Sequence, residues 1–229
     1  MTFEAMGNAA LDYLPCRYGA SKLLFRGPQR DLSNPYVAFL GGSQTYGKFV
    51  ERPFVTLLDQ EIGPSCVNFG CMNAGIDVFV NDQSLIEVAQ GARVTVLQVP
   101  TAQNMSNRLY TVHPRRNDRF VSATQMLKTI FPDIDFAGFH FNRHLLSHMR
   151  ALSAERYHIL EQELAAAWCA RMQMLVNKIG GTVVLVWISE RSPDDPDAFE
   201  IDPMHVTRAM LDEIVPHVSQ FVEITLPRS

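Results

Sequence analysis

Five short runs of apolar residues are spaced along the chain, and most of them lack polar alternation. Near-continuous apolar runs are typical of strands that are buried on both faces of a parallel sheet. The pattern therefore predicts five strands: Tyr36–Leu40, Cys66–Phe69, Val94–Val99, Val183–Ile188 and the weaker Phe221–Ile224.

The segments between these runs have apolar residues at helical spacing. We predict helices over Pro53–Ile62, over Val78–Ala89, and from an N-cap at Ser153 to Gly180, with a further helix after the fourth strand. Strands that alternate with helices favour an α/β fold with a doubly wound, mostly parallel five-stranded sheet. No linker divides the chain, so residues 1–229 are predicted to form a single domain.

Two stretches do not follow this alternation. Residues 1–35 are predicted to be an arm that wraps the domain. Residues 100–152 form an insertion after the third strand, with a helix over Ser122–Ile130. An insertion of this length is usually functional, so it is either a lid or an interface in a homodimer.

Composition narrows the class of protein. The chain is 47% hydrophobic with a net charge of −4, which fits a globular domain and gives no basic surplus for nucleic acid. The four cysteines form no CxxC pair, so reduced thiols are expected. The N-terminus lacks the pattern of a secretory signal, and no apolar run approaches the roughly 18–20 residues of a membrane span. These features predict a cytoplasmic protein with no membrane partner.

A serine follows the first predicted strand directly, in the segment Gly41–Gly47. There its hydroxyl is exposed at the carboxyl edge of the sheet, where sites of such folds form. The spacing fits neither of the two glycine-rich nucleotide-binding motifs. Ser43 is therefore either a nucleophile or part of a plain glycine-rich turn.

Asp202 and His205 lie after the fourth predicted strand, at the same edge. An imidazole can take the proton of a serine hydroxyl, and a carboxylate can hold the imidazole in the required tautomer. Alternatively, Asp202 with Pro203 begins a helix and His205 is incidental. The convergence with Ser43 favours a catalytic Ser43–His205–Asp202 arrangement.

The segment Gly41–Gly47 resembles the first conserved block of the SGNH (GDSL-like) hydrolases, in a Gly-Gly-Ser variant, and Asp202-x-x-His205 resembles their last block. The resemblance spans about Tyr36 to Met210. It implies a flavodoxin-like fold and ester hydrolysis through an acyl-enzyme, with no cofactor or metal.

The resemblance also implies an oxyanion hole made by the N–H groups of Ser43 and Gly75 and the side chain of Asn104. Gly70 is the alternative in the second block, Val67–Gly75, and Asn107 is the alternative in the third block, Val99–Asn107. The third block lacks the glycine and the aspartate that are usual in the family. Cys71 is a rival nucleophile without a histidine companion nearby.

The insertion carries Arg115, Arg116 and Arg119, which could meet an anionic substrate above Ser43 or form a subunit interface. Three histidines at four-residue spacing, His140, His144 and His148, would share one face of a helix. No carboxylate or cysteine joins them at ligand spacing, so no metal site is predicted.

The function predicted from the sequence is a serine esterase that removes O-acyl groups from a carbohydrate or small metabolite. Two alternatives remain. An O-acyltransferase would use the same acyl-enzyme with an alcohol acceptor. A non-catalytic carbohydrate- or partner-binding module would keep the fold without the chemistry.

Overall fold

The computed structural model describes residues 11–227, which contain seven strands. In chain order they are β1 (Tyr36–Gly41), β2 (Ser65–Gly70), β3 (Val94–Gln98), β4 (Tyr110–His113), β5 (Arg116–Ala123), β6 (Val183–Ser189) and β7 (Gln220–Thr225). Five of them form a parallel sheet in the order β2-β1-β3-β6-β7, while β4 and β5 form a separate antiparallel hairpin. All five predicted strands are confirmed, each to within one residue at either end.

Eight α-helices connect or flank these strands within the same residues. They are α1 (Ser43–Tyr46), α2 (Phe54–Glu61), α3 (Ile76–Val80), α4 (Gln83–Gly91), α5 (Gln125–Ile130), α6 (Asn142–Leu152), α7 (Ala154–Ile179) and α8 (Arg208–Ile214). The predicted cap of the long helix is confirmed, because the Ser153 side chain accepts the N–H of Arg156.

The two faces of the sheet are covered unequally. Ala38 and Leu40 of β1 point into the large core beneath α3, α4, α7 and α8, whereas Val37 and Phe39 point into a small core with Val55 of α2. The asymmetry follows from right-handed crossovers: α2 leads from β1 to one side, and the later connections lead to the other. Burial on both faces explains why β1 has no polar alternation.

Two predicted helices differ from the observed ones. The segment Val78–Ala89 holds the end of α3 and most of α4, because Asp82 accepts the N–H of Leu85 and begins a new helix. The predicted helix over Ser122–Ile130 begins only at Gln125, since Ser122 pairs with Thr111 in the hairpin. Both differences come from side-chain capping and strand pairing that apolar periodicity does not reveal.

The described part of the N-terminal arm packs against the domain, as predicted. Cys16 and Phe25 form an antiparallel bridge, and Tyr18, Leu23 and Phe25 enter the large core. Within residues 11–227, no helix combines the length and hydrophobicity that a membrane span requires.

Candidate active site

Gln98, at the end of β3, shapes the turn that carries Ser43. Its Oε1 accepts the N–H of Gly42 at 3.2 Å and the hydroxyl of Thr45 at 2.6 Å. A Cβ at Gly41 would lie 2.6 Å from the same oxygen, so only glycine allows this approach. The turn places Ser43 at the carboxyl edge of the sheet, at the start of α1, as predicted.

The Ser43 hydroxyl makes both of its hydrogen bonds with Asn73. It accepts the Asn73 backbone N–H at 3.1 Å and donates to Oδ1 at 3.3 Å. Asn73 has a φ of 57°, a left-handed conformation that asparagine tolerates better than most residues. Its Nδ2 donates to Asp118 Oδ2 at 3.2 Å, so a polar chain runs from the serine into the insertion. The sequence analysis assigned no role to Asn73.

Asn104, the predicted oxyanion donor, lines the cavity that contains Ser43, and one hydrogen bond orients its amide. Its Oδ1 accepts a hydrogen bond from Asn142 Nδ2 at 3.1 Å, and this fixes which end of the amide is the donor. Asn104 Nδ2 has no acceptor among residues 11–227, and Asn104 lines the cavity beside Ser43. The alternative, Asn107, accepts the N–H groups of Leu109 and Tyr110 and shapes a turn instead.

Neither glycine of the second block has a free N–H, which corrects the prediction for both. Gly75 donates to Asn117 Oδ1 at 3.1 Å, and Gly70 donates to Asn68 Oδ1 at 2.9 Å. Gly75 is required for packing, because a Cβ there would lie 1.6 Å from the backbone oxygen of Asn104. The backbone N–H of Ser43 remains as the second donor, since no acceptor within the described chain takes it.

Asp202 lines a cavity of about 100 Å³ together with Ser43 and Asn104. We call this cavity the serine pocket. Asp202 is exposed, but partial desolvation of its carboxyl group at the edge of the cavity raises its pKa above the ordinary value. The backbone N–H of Met204 donates to the carboxylate and partly opposes that effect.

His205 does not join Ser43 or Asp202, which corrects the predicted arrangement. Its Nε2 lies 2.6 Å from the Tyr157 hydroxyl in a hydrogen bond, and its Nδ1 is buried without a partner among the described residues. The ring packs edge-on against Phe199 and is only 7% exposed. Burial lowers the pKa of His205 to about 3. No hydrogen bond within residues 11–227 connects it to the other two predicted residues.

The segment around His205 is held in place by Arg191. This guanidinium is 1% exposed and donates to the carbonyl oxygens of Ile201, Pro203 and Val206. His205 itself has a φ of 62°, which turns its side chain into the protein while Asp202 stays at the cavity. A spacing of three residues therefore brought the two side chains to one loop but not to one pocket.

The other candidates of the sequence analysis occupy different places. Cys71 is buried, and burial raises the pKa of its thiol to about 12, which makes it a poor nucleophile. His144 and His148 both lie against Phe139, at centroid distances of 4.9 and 5.3 Å, and His140 precedes α6. Within the described chain no group of three metal-ligating side chains comes together.

The three predicted arginines line a large cleft next to the serine pocket. Arg115, Arg116 and Arg119 surround a volume of about 950 Å³, and Asn73 lines both this cleft and the serine pocket. Asp118 lines the cleft as well. The insertion thus lies next to Asn73, the residue that bonds the Ser43 hydroxyl.

The fold and these residues define an α/β protein with a serine-bearing pocket at the carboxyl edge of a five-stranded parallel sheet. The chain belongs to the family described as Domain of unknown function (DUF6473), whose sequence model matches residues 1–229. No curated protein matches the sequence.

Proposed function

We propose that the protein is a serine hydrolase that cleaves an O-acyl ester of a carbohydrate or small metabolite. The observation that carries this proposal is the serine pocket, where the Ser43 hydroxyl, the Asn104 amide and the Asp202 carboxylate line one cavity. Acyl transfer needs these three kinds of group: a nucleophile, an oxyanion donor and a base. The resemblance of Gly41–Gly47 to the first SGNH block agrees with this assignment.

Two N–H donors are available for the oxyanion that forms when Ser43 attacks the ester carbonyl. They are the backbone N–H of Ser43 and Nδ2 of Asn104, which both lack an acceptor within residues 11–227. Asn142 is fully buried and holds the Asn104 amide, so the donor needs little reorganisation during the reaction. Donors fixed in advance contribute most to the stabilisation of such an intermediate.

Asp202 is the carboxylate that lines the serine pocket, and we assign it the role of base. It takes the proton of the Ser43 hydroxyl as the new C–O bond forms, and it returns that proton to the departing alcohol. In the second step it takes a proton from the water that attacks the acyl carbon, and it gives that proton to the departing Ser43 oxygen as the acyl–oxygen bond breaks, which restores the serine hydroxyl and releases the acid. The desolvation that raises the pKa of Asp202 also makes it a stronger base.

The position of His205 favours a second candidate function. Among residues 11–227 its ring bonds Tyr157 alone, so the histidine that matches the SGNH base is withdrawn from Ser43. A module that binds an anionic carbohydrate or metabolite without cleaving it would need no such base. Both candidates use the same pocket and cleft, and a labelling experiment distinguishes them.

The test combines a fluorophosphonate probe with hydrolysis of p-nitrophenyl acetate. A hydrolase is expected to be labelled at Ser43 and to turn over the ester, and Ser43→Ala should abolish both. The control is Ser33→Ala, which replaces an exposed serine that precedes β1 and bonds Asp31. This variant should keep both the labelling and the ester turnover. Absence of labelling and turnover in the wild-type protein would favour the binding module. Transfer of the acetyl group to an added alcohol would reveal an acyltransferase.

The pH dependence of kcat/KM identifies the base. With Asp202 as base, kcat/KM should rise with pH through a pKa above about 3.9, the ordinary aspartate value, and Asp202→Asn should remove most activity. In that case the His205→Gln variant should keep its esterase activity. A rise centred near about 6.5, lost in His205→Gln, would show instead that the loop rearranges and the histidine acts.

A further inference from the structure

A large cavity beside the serine pocket concentrates positive charge in a protein whose net charge is −4. Its volume of about 950 Å³ lies near the upper end of the range for small-molecule sites. We call it the basic cleft. The five fully charged cations that line it are Lys22, Lys48, Arg115, Arg116 and Arg119.

None of these five cations forms an ion pair within residues 11–227, whereas most other arginines of the protein are paired or bonded to backbone oxygens. The single carboxylate that lines the cleft is Asp118, and one of its oxygens accepts from Asn73. Like charges around one cavity repel each other, and although solvent screens part of this repulsion, a bound anion relieves more of it. The cleft therefore has the electrostatics of an anion site.

The wall of the cleft is built by ordered contacts. His113 Nδ1 accepts the N–H groups of both Arg115 and Arg116 at 3.2 Å, which fixes the turn between β4 and β5. The guanidinium of Arg119 lies 4.5 Å from the centre of the Phe141 ring, and Arg119 and Phe141 also form a backbone bridge. The Arg119 guanidinium, held against the ring in this way, loses less conformational entropy when it binds an oxyanion, whereas the turn fixes only the backbone of Arg115 and Arg116.

The cleft is linked to the nucleophile through one residue. Asn73 bonds the Ser43 hydroxyl on one side and Asp118 on the other, and it lines both the basic cleft and the serine pocket. A molecule bound in the cleft can therefore reach Ser43 past Asn73. This continuity relates the charge of the insertion to the chemistry at the sheet edge.

We propose that the basic cleft binds a small polyanionic molecule, with at least two phosphate, sulfate or carboxylate groups, whose acyl ester extends to Ser43. The ester part of this inference rests on the proposed hydrolase function. The anion-binding part rests only on the residues that line the cleft. We propose two or more charged groups because the cations come from three separate segments, the N-terminal arm, the α1–α2 loop and the β4–β5 hairpin, around a cavity of about 950 Å³. Arginine binds phosphate, sulfate and carboxylate in similar bidentate geometry.

The test is isothermal titration calorimetry at constant ionic strength with three probes: pyrophosphate, citrate and a trisulfated heparin disaccharide. We expect at least one probe to bind with a Kd below about 1 mM. Arg115→Ala/Arg116→Ala should weaken that binding about tenfold or more, because two bidentate partners are lost. The control Arg93→Ala/Lys128→Ala removes the same charge at exposed sites outside the cleft and should change the Kd less than about twofold.

The probe that binds most tightly identifies the source of the anion, and inorganic phosphate should bind more weakly than pyrophosphate if two groups are engaged. The proposal is overturned if no probe binds, or if the control variant loses as much affinity as the cleft variant. Ser43→Ala should bind the probe as the wild type does. Binding without ester cleavage would thus refute only the hydrolase, and cleavage without binding would refute only the cleft.

Discussion

Ser43 and His205, the two residues expected to share a proton, lie in opposite kinds of surroundings. Ser43 lines a cavity, and its hydroxyl bonds an exposed asparagine. The His205 ring lies among aromatic side chains, bonds the Tyr157 hydroxyl and has one nitrogen with no partner in the described chain. Ser43 thus lies at a cavity, whereas His205 lies among packed aromatic side chains.

This difference shows that a shared edge of a sheet is not a shared pocket. Topology brings the ends of β1 and β6 to the same edge. Which way a side chain points there depends on the loop backbone and on what the loop packs against. At Asp202 the side chain reaches the serine pocket, and at His205 the positive φ directs it away.

The largest expected effect is on the His205 side of this comparison. Arg191→Ala removes the donor to four carbonyl oxygens, those of Ser192, Ile201, Pro203 and Val206. Each buried acceptor left unpaired costs roughly 1–3 kcal/mol, so the free energy of unfolding should fall by about 4 kcal/mol or more. Urea denaturation measures this change, with exposed Arg93→Ala as the control. A loss close to that of the control would mean that the loop is not fixed.

The next effect concerns the Ser43 side. Asn104→Ala should lower kcat about 10²–10³-fold on any ester that the protein cleaves, because one oxyanion donor is lost. Asn107→Ala, in the same loop, removes the side-chain oxygen that accepts the N–H groups of Leu109 and Tyr110. This variant should be less stable but should show little change in kcat. Steady-state kinetics and thermal melts of both variants separate the two roles. Equal losses of kcat would remove Asn104 from the proposed mechanism.

The smallest expected effect is the pH dependence contributed by His205. Its pKa is about 3 in the folded protein and about 6.5 when unfolded, so its neutral form is the one that stabilises the fold. This stability is complete above about pH 6.5 and falls by about 1.4 kcal/mol per pH unit below it, as the unfolded chain takes up the proton. Between pH 6 and 4 the wild type should lose about 2–3 kcal/mol more than His205→Gln does.

The control for this prediction is His158→Gln, an exposed histidine on α7 that pairs with Glu161. It should keep the wild-type pH dependence of the free energy of unfolding, measured by denaturant titration at each pH. Parallel curves for the wild type and His205→Gln would place His205 outside the buried site in solution. Such a result would bring the histidine back toward Ser43.

The sequence by itself determined the sheet and the position of the serine. Apolar runs located all five strands: the central β1 is buried on both faces and shows no polar alternation, whereas the largely exposed edge strand β7 gave the weakest run. The glycines around Ser43 marked the sharp turn, because close backbone approach excludes a Cβ at Gly41. Charge clustering singled out Arg115, Arg116 and Arg119 but left open whether they meet a substrate or a second subunit.

Only the tertiary structure decided which polar groups meet. The backbone N–H of Gly75 donates to the Asn117 side chain, and the Asn104 amide accepts a hydrogen bond from Asn142. The His205 ring is hydrogen-bonded to the Tyr157 hydroxyl. Each of these partners is at least 38 residues away along the chain, so local spacing does not reveal it. A buried polar group is fixed by whichever partner satisfies it, and that partner is chosen by packing rather than by sequence distance.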